Sequence, residues 1–417
     1  MTPASQARTT RLARAAIGVM ALHVVDDAFL QPQPGTTFDD HLISGLVPLA
    51  LLALAAWAFP RLRAGAQATL ALVLGPLGVV LAAEAIHYWQ TTGLSGDDFS
   101  GLLAIPAGLT LLWVGAASLW RTRRVDDARY WRYPRRLLLG GAGVLGVAWI
   151  VFPLGLSYGV THVARTGTPA AHLGTAYEDV TLHTRDGLDL AGWYVPSRNR
   201  AAVIVFPGRG AAQAHARYLA RHGYGVLLFD RRGEGASEGD PHGFGWTLDE
   251  DIRAAVEFLK RRPDVDPRRI GGLGLSVGGE MMLQTAAATP DLAAVVSDGA
   301  GARVASEELA DVSGLEKLVS APMVLAKTAA VAVLSNHAPP SNLEHYIARI
   351  APRPIMLINA AAGEVDDKTP EYLAAARGPA VHWTVPKGGH TAGIRTMPGE
   401  YARRVLAFFD TSLRAAA

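Results

Sequence analysis

The chain holds 417 residues, with 39 Lys and Arg against 37 Asp and Glu and no Cys. A net charge of +2 gives no basic field for nucleic acid, and the lack of cysteine permits an oxidising compartment without requiring one. The length allows a small membrane domain and one soluble domain of about 250 residues, enough for a substantial core.

Five apolar stretches come first, near residues 15–30, 42–59, 68–89, 102–120 and 137–160. Each approaches the ~20 residues that span a bilayer, so about five transmembrane helices are expected over residues 1–160. His23, Asp26 and Asp27 interrupt the first stretch, for which an interfacial helix is the alternative. A cleavable signal peptide is disfavoured, because no small-residue cleavage site follows and further spans do.

Residues 1–160 contain twelve arginines and no lysine, all in three alternate segments: Arg8, Arg11 and Arg14; Arg61 and Arg63; and seven between Arg121 and Arg136. The other two loops carry Asp39, Asp40, Asp97 and Asp98 instead. The positive-inside rule then places the N-terminus in the cytoplasm and, after five crossings, the C-terminal domain outside. Toward the outer ends of the first three spans lie His23, Asp26, Asp27, His41, Glu84 and His87. Carboxylates at that depth are costly unless paired, so a hydrogen-bonded cluster is expected, with a metal or proton site or a plain polar plug as its alternatives.

Residues 161–172 read as a linker containing Gly167, Thr168 and Pro169, and the second domain as 173–417. It opens with alternating segments 177–184 and 188–195 around Asp186-Gly187, a hairpin signal. An apolar strand at 201–206 ends in Pro207-Gly208-Arg209-Gly210, and a helix near 211–222 leads to a strand at 224–229. There follows Asp230-Arg231-Arg232-Gly233-Glu234-Gly235-Ala236-Ser237. Residues 269–274 suit a buried strand and 279–287 a helix, and between them Gly274, Ser276 and Gly278 form G-x-S-x-G. A nucleophilic serine on a sharp strand-to-helix turn needs neighbours without Cβ atoms, which gives this spacing a mechanical reason. A dinucleotide site is excluded because Val277 stands where the third glycine is required, and no P-loop pattern occurs.

Beyond a strand at 292–300 comes an insertion at about 303–350, in the position of a helical cap, with a largely apolar stretch at 319–334. Packing over the sheet is the first expectation for it, and contact with lipid or an acyl chain the second. A strand at 353–360, an acidic loop with Glu364, Asp366 and Asp367, a strand at 380–386, the turn Gly388-Gly389-His390 and a helix at 398–413 complete the chain.

With its D-x-R-G-x-G-x-S turn and its serine, acid and histidine in this order, the region 170–417 resembles the α/β-hydrolase superfamily. The resemblance implies a mostly parallel sheet with Ser276 as nucleophile and His390 as general base. The carboxylate is open. Asp366 fits best when measured back from Pro370, Glu364 fits when measured forward from the strand, and Asp367 and Asp298 remain. The backbone N–H groups of Arg209 and Val277 are the expected oxyanion donors. Pro207 replaces the histidine of the frequent His-Gly opening, and the Arg209 side chain is expected either to meet an anionic group of the substrate or to face water.

These readings describe a membrane-anchored serine hydrolase on the outer side of the cytoplasmic membrane, acting on a small-molecule or lipid ester without metal or cofactor. Acyl transfer and peptide cleavage use the same residues, and a non-catalytic membrane sensor is the alternative from another class.

Overall fold

The computed structural model describes residues 3–31, 37–91, 96–121, 129–163, 165–361 and 368–414. In chain order the described residues form helices α1 (Pro3–Val25), α2 (Leu42–Ala58), α3 (Ala64–Val80), α4 (Ala83–Thr91), α5 (Gly96–Arg121), α6 (Arg129–Gly146) and α7 (Phe152–Thr161). Next come β1 (Glu178–His183), β2 (Asp189–Val195), β3 (Ala202–Phe206), α8 (Gln213–Arg221), β4 (Gly225–Phe229), α9 (Asp249–Lys260), β5 (Ile270–Leu275), α10 (Val277–Ala288) and β6 (Leu292–Asp298). The insertion supplies α11 (Ala305–Glu308), α12 (Gly314–Leu334) and α13 (Leu343–Ile347). Last are β7 (Ile355–Ala360), α14 (Thr369–Ala375), β8 (Ala380–Val385), α15 (Gly393–Thr396) and α16 (Pro398–Ser412).

Two compact units result, Met1–Ala164 with Val312–Ala338, and Arg165–Asp311 with Pro339–Ala417. The first is entirely helical among its described residues. Helices α3 and α5 approach closely, since a Cβ on Gly108 would stand 2.5 Å from the Gly75 carbonyl oxygen, and small residues are what permit such contact between apolar helices. Ile17, Met20, Phe59, Leu111 and Val114 fill the core beside them.

Among the described residues, four stretches are long and apolar enough to cross a membrane: Phe38–Arg61, Phe99–Arg121, Leu138–Thr161 and Gly314–Leu334. The first three match expected spans. The expected span at 68–89 is instead broken, because α3 stops at Val80 and α4 starts at Ala83, after a run containing Gly75, Pro76 and Gly78. Its 17 residues reach about 26 Å, short of the ~30 Å hydrocarbon layer. The first expected span continues from α1 through a π-helical turn at Asp26–Leu30.

The fourth stretch, α12, lies in the insertion. It packs on α2 and α7 in the first unit. Trp149 Nε1 donates to the Val319 carbonyl at 2.9 Å and Ser157 Oγ to the Lys327 carbonyl at 3.1 Å.

Members of the expected polar cluster contact residues outside it. His23 Nδ1 lies 3.0 Å from Ser100 Oγ, and His162, stacked on Tyr158, has its Nε2 4.0 Å from Asp27. His41 is buried, and Asp26 accepts a hydrogen bond from Gln31. The side chains of Glu84 and His87 lie outside the described ones. Among described residues no three His, Cys, Asp or Glu converge as metal ligands.

The second unit carries an eight-stranded sheet in the order β1-β2-β4-β3-β5-β6-β7-β8. From β4 to β8 neighbouring strands are parallel, and β1 and β2 form the antiparallel hairpin read from Asp186-Gly187. Strands buried on both faces read as continuous apolar runs. In β3, Val203 and Val205 join a core with α8 and α16, while Ile204 and Phe206 join the opposite core with α9, α10, α13 and α14. Parallel order brings the carboxyl ends of β3, β5, β6, β7 and β8 to one rim, where an open sheet of this kind places its ligands.

Candidate active site

Strand β5 delivers Ser276 into a left-handed conformation, φ 52° and ψ −127°, directly before α10. A non-glycine residue there is strained, and only surrounding packing keeps it so. The flanking glycines are required by close approach. A Cβ on Gly274 would lie 2.2 Å from the Gly278 carbonyl oxygen, and one on Gly278 would lie 2.7 Å from the Phe206 carbonyl oxygen. The Ser276 N–H donates to the Asp298 carbonyl at 2.8 Å, tying the elbow to the end of β6. Val277 opens α10, so its N–H has no acceptor within the helix and suits an oxyanion.

Ser276 and Val277 border a cavity of about 420 Å³ with Pro207, Gly208 and Gly210 from the turn after β3, and Asp230, Arg231 and Glu234 from the turn after β4. Arg209 itself is turned away from this space. Its side chain neither faces water nor stands free for an anionic substrate. It is 4% exposed, Nε donates to Asp230 Oδ2 at 2.8 Å, and Nη2 reaches Asp230 and Thr168. A buried guanidinium persists only with such a partner, and Asp230 supplies it from the turn after β4. The backbone N–H of Arg209 also donates to Asp230 Oδ1, at 3.0 Å. As an oxyanion donor it therefore has a competitor in place.

Thr166, Gly167 and Pro169 form another side of the cavity. Residues 165–172, expected as a tether, are bound along the rim of the sheet. Gly235 N–H donates to the Thr166 carbonyl at 2.9 Å, Arg165 Nη2 to Gly239 at 3.2 Å, Gln213 to Ala170 at 3.0 Å, and Arg217 to His172 at 2.9 Å. Composition alone reads Gly-Thr-Pro as flexible. Partners distant in sequence give it a fixed course.

His390 follows β8 and lies over Gly299, where a Cβ would meet its Cε1 at 2.8 Å and its Nδ1 at 3.1 Å. Since β6 pairs with β5, with Leu275 opposite Asp298, this brings the imidazole to the strand end next to the nucleophile. Glu364, Asp366 and Asp367 lie outside the described residues. Asp298, the remaining candidate acid, accepts the Tyr401 hydroxyl at 2.8 Å in a buried aromatic group.

Glu280 was not singled out in the sequence, although an acidic residue on the apolar nucleophile helix was a usable signal. It sits one turn after Ser276 and is 9% exposed, with Oε1 accepting the Gly301 N–H at 3.3 Å. Burial pushes its carboxyl up to about 7, against the opposing influence of Arg303, the Gly301 N–H and His390. Arg303 in turn donates to Gln284 at 2.6 Å and to the Ser341 carbonyl at 2.8 Å, while Glu307 accepts the backbone N–H groups of Arg303 and Leu343.

The chain is 27% identical over 263 residues to the uncharacterized protein YfhR of Salmonella typhimurium, covering 57% of this chain and 83% of YfhR. It is 38% identical over 129 residues to the polyketide transferase ATR5 of Stachybotrys chlorohalonatus, covering 29% of this chain and 43% of ATR5. The solved structure of the Pyrococcus furiosus esterase Pf2001 aligns with 60% of this chain and 99% of its own, at a TM-score of 0.48 and 21% identity. Residues 162–382, just over half of the chain, match the X-Pro dipeptidyl-peptidase (S15) family. With a strained serine at the β5–α10 elbow and a histidine brought to the same rim, the protein belongs to that family of α/β-hydrolases.

Proposed function

We propose that this protein is a membrane-anchored serine hydrolase that cleaves a carboxylic ester through an acyl-enzyme. The observation that carries this reading is the left-handed Ser276 at the border of the cavity. His390 takes the Ser276 proton, the alkoxide attacks the ester carbonyl, and Val277 N–H stabilises the tetrahedral oxyanion. The protonated imidazole then gives its proton to the leaving alcohol, and water activated by the same histidine releases the acid. Asp366 is the carboxylate assigned to hold the imidazole.

An ester is preferred to a dipeptide because a peptidase that releases dipeptides needs a carboxylate for the substrate ammonium. Among the described residues, the two acidic side chains bordering the cavity already have arginine partners: Asp230 pairs with Arg209, and Glu234 with Arg231 at 2.5 Å. Acyl transfer to an alcohol would use the same acyl-enzyme, and the name of ATR5 keeps that reading in view. Three stretches before residue 164 have the length and apolarity of membrane crossings, and the arginine pattern supports an outward-facing hydrolase unit.

The test is turnover of p-nitrophenyl esters of graded chain length against X-Pro p-nitroanilides, using purified full-length protein in detergent and a fluorophosphonate probe of Ser276. Ester turnover with labelling of Ser276 is expected. Faster anilide cleavage would make the protein a peptidase, and failure to label would leave a binding module.

A further inference from the structure

Inside the helical unit lies an apolar cleft of about 480 Å³, a volume within the range of small-molecule sites. Its walls come from α1 (Met20), α2 (Leu51), α3 (Leu77), the α6–α7 connection (Ile150) and α12 (Ala330, Val333). The two polar tips at its border are engaged with main-chain carbonyls: Trp149 Nε1 donates to Val319 at 2.9 Å, and the Tyr158 hydroxyl to Leu81 at 3.1 Å. An ordered water needs two to four polar partners, and this lining offers none that is uncommitted. An apolar cleft that offers water no partners and opens on an apolar surface suits hydrocarbon.

We propose that the cleft binds one acyl chain of a membrane lipid, with the headgroup outside it. Its edge determines the source. Leu51 is 62% exposed and Ile150 45%, so the opening runs directly into the bare apolar surface of α2 and of the α6–α7 connection. That surface faces lipid tails if these helices cross the bilayer, which is the part of the proposed function on which this inference rests. The wall from α12 presents Ala326, Ala329 and Ala330, whose short side chains leave the space that a larger residue would fill. Because α12 is encoded between β6 and β7, a lipid held here touches a segment of the hydrolase's own insertion.

The test places the full chain in phosphatidylcholine nanodiscs doped with a phosphatidylcholine that carries a diazirine on one acyl chain, and maps the photolabel by mass spectrometry. Labels on Met20, Leu77 and Ala330 are expected to exceed those on the outward-facing Leu54 and Leu318 by about tenfold. Ala326→Phe and Ala329→Phe, each at a side chain that is not fully buried, should remove that excess while leaving the Leu54 labels unchanged. Equal labelling of all five positions, or an excess that survives both substitutions, would overturn the site. Cleft labels without any on Leu54 would support the site and instead remove the crossing by α2.

Discussion

At the residue scale, Ser276 combines an unfavourable backbone conformation with neighbours that leave it no alternative. Ser276→Ala should lower ester turnover at least about a thousandfold with folding intact, His390→Ala nearly as much, and the double variant little further, because the two act as a unit. Wild-type turnover by Ser276→Ala would refute the catalytic assignment. For the carboxylate, Asp366→Asn should depress turnover by orders of magnitude, with Glu364→Gln and Asp367→Asn mild; a larger loss from Glu364→Gln moves the role to that residue. Glu280 supplies a pH dependence of definite sign. Its folded value of about 7 lies above the ordinary carboxylate value, so the folded state holds the proton more tightly and stability falls as pH rises from about 4.5 through 7. Glu280→Gln keeps an acceptor for the Gly301 N–H and removes the titration. Thermal or urea unfolding at pH 5 and pH 8 should differ less in the variant than in the parent, by up to about 3 kcal/mol, and an unchanged difference would exclude Glu280 as the source.

At the element scale, the turn after β3 is held by the turn after β4 through Asp230, which accepts both the backbone N–H and the guanidinium of Arg209. Asp230→Asn leaves a buried guanidinium without its charge partner, a change that costs about 3–5 kcal/mol in comparable sites. The same substitution weakens the hold on the Arg209 N–H. If that group supplies the second oxyanion donor after swinging free, kcat per folded molecule should be preserved or increased despite lower stability. A fall in kcat in proportion to lost order in the turn would assign Asp230 to positioning the cavity wall. The segment 165–172 belongs to the same scale. Its Gly-Thr-Pro composition reads as a tether, while its hydrogen bonds to Gln213, Arg217, Gly235 and Gly239 make it a wall.

For the whole molecule, chain connectivity decides what length and hydropathy leave open. Helix α12 qualifies as a crossing by composition, yet it lies between β6 and β7, which pair side by side from Val295 with Ile355 to Asp298 with Ile358. Strands on opposite sides of a bilayer cannot share a ladder, so α12 does not act as a single crossing. If all five N-terminal stretches cross, as the sequence leads one to expect, they alone set the orientation. A reporter that is active only outside the cytoplasm, fused after Ala417, should be active, and protease added to intact spheroplasts should digest the hydrolase unit. Protection until lysis would mean that one pass fails to cross. The 17-residue α3 and the polar end of α1, with His23, Asp26 and Asp27, are the places to look.

The sequence by itself determined the order of strands and helices after residue 177 and the elbow at Ser276. These depend on local periodicity and on glycines that steric exclusion demands at fixed spacing. Neighbouring residues carry such information directly. Only the tertiary structure decided that Arg209 closes on Asp230 rather than on a ligand, that Glu280 is buried one turn beyond the nucleophile, and that α12 packs with α2 and α7. Each of these depends on which groups share a desolvated space, and a charged side chain has the same identity in sequence whether its partner is water or a carboxylate twenty-one positions away.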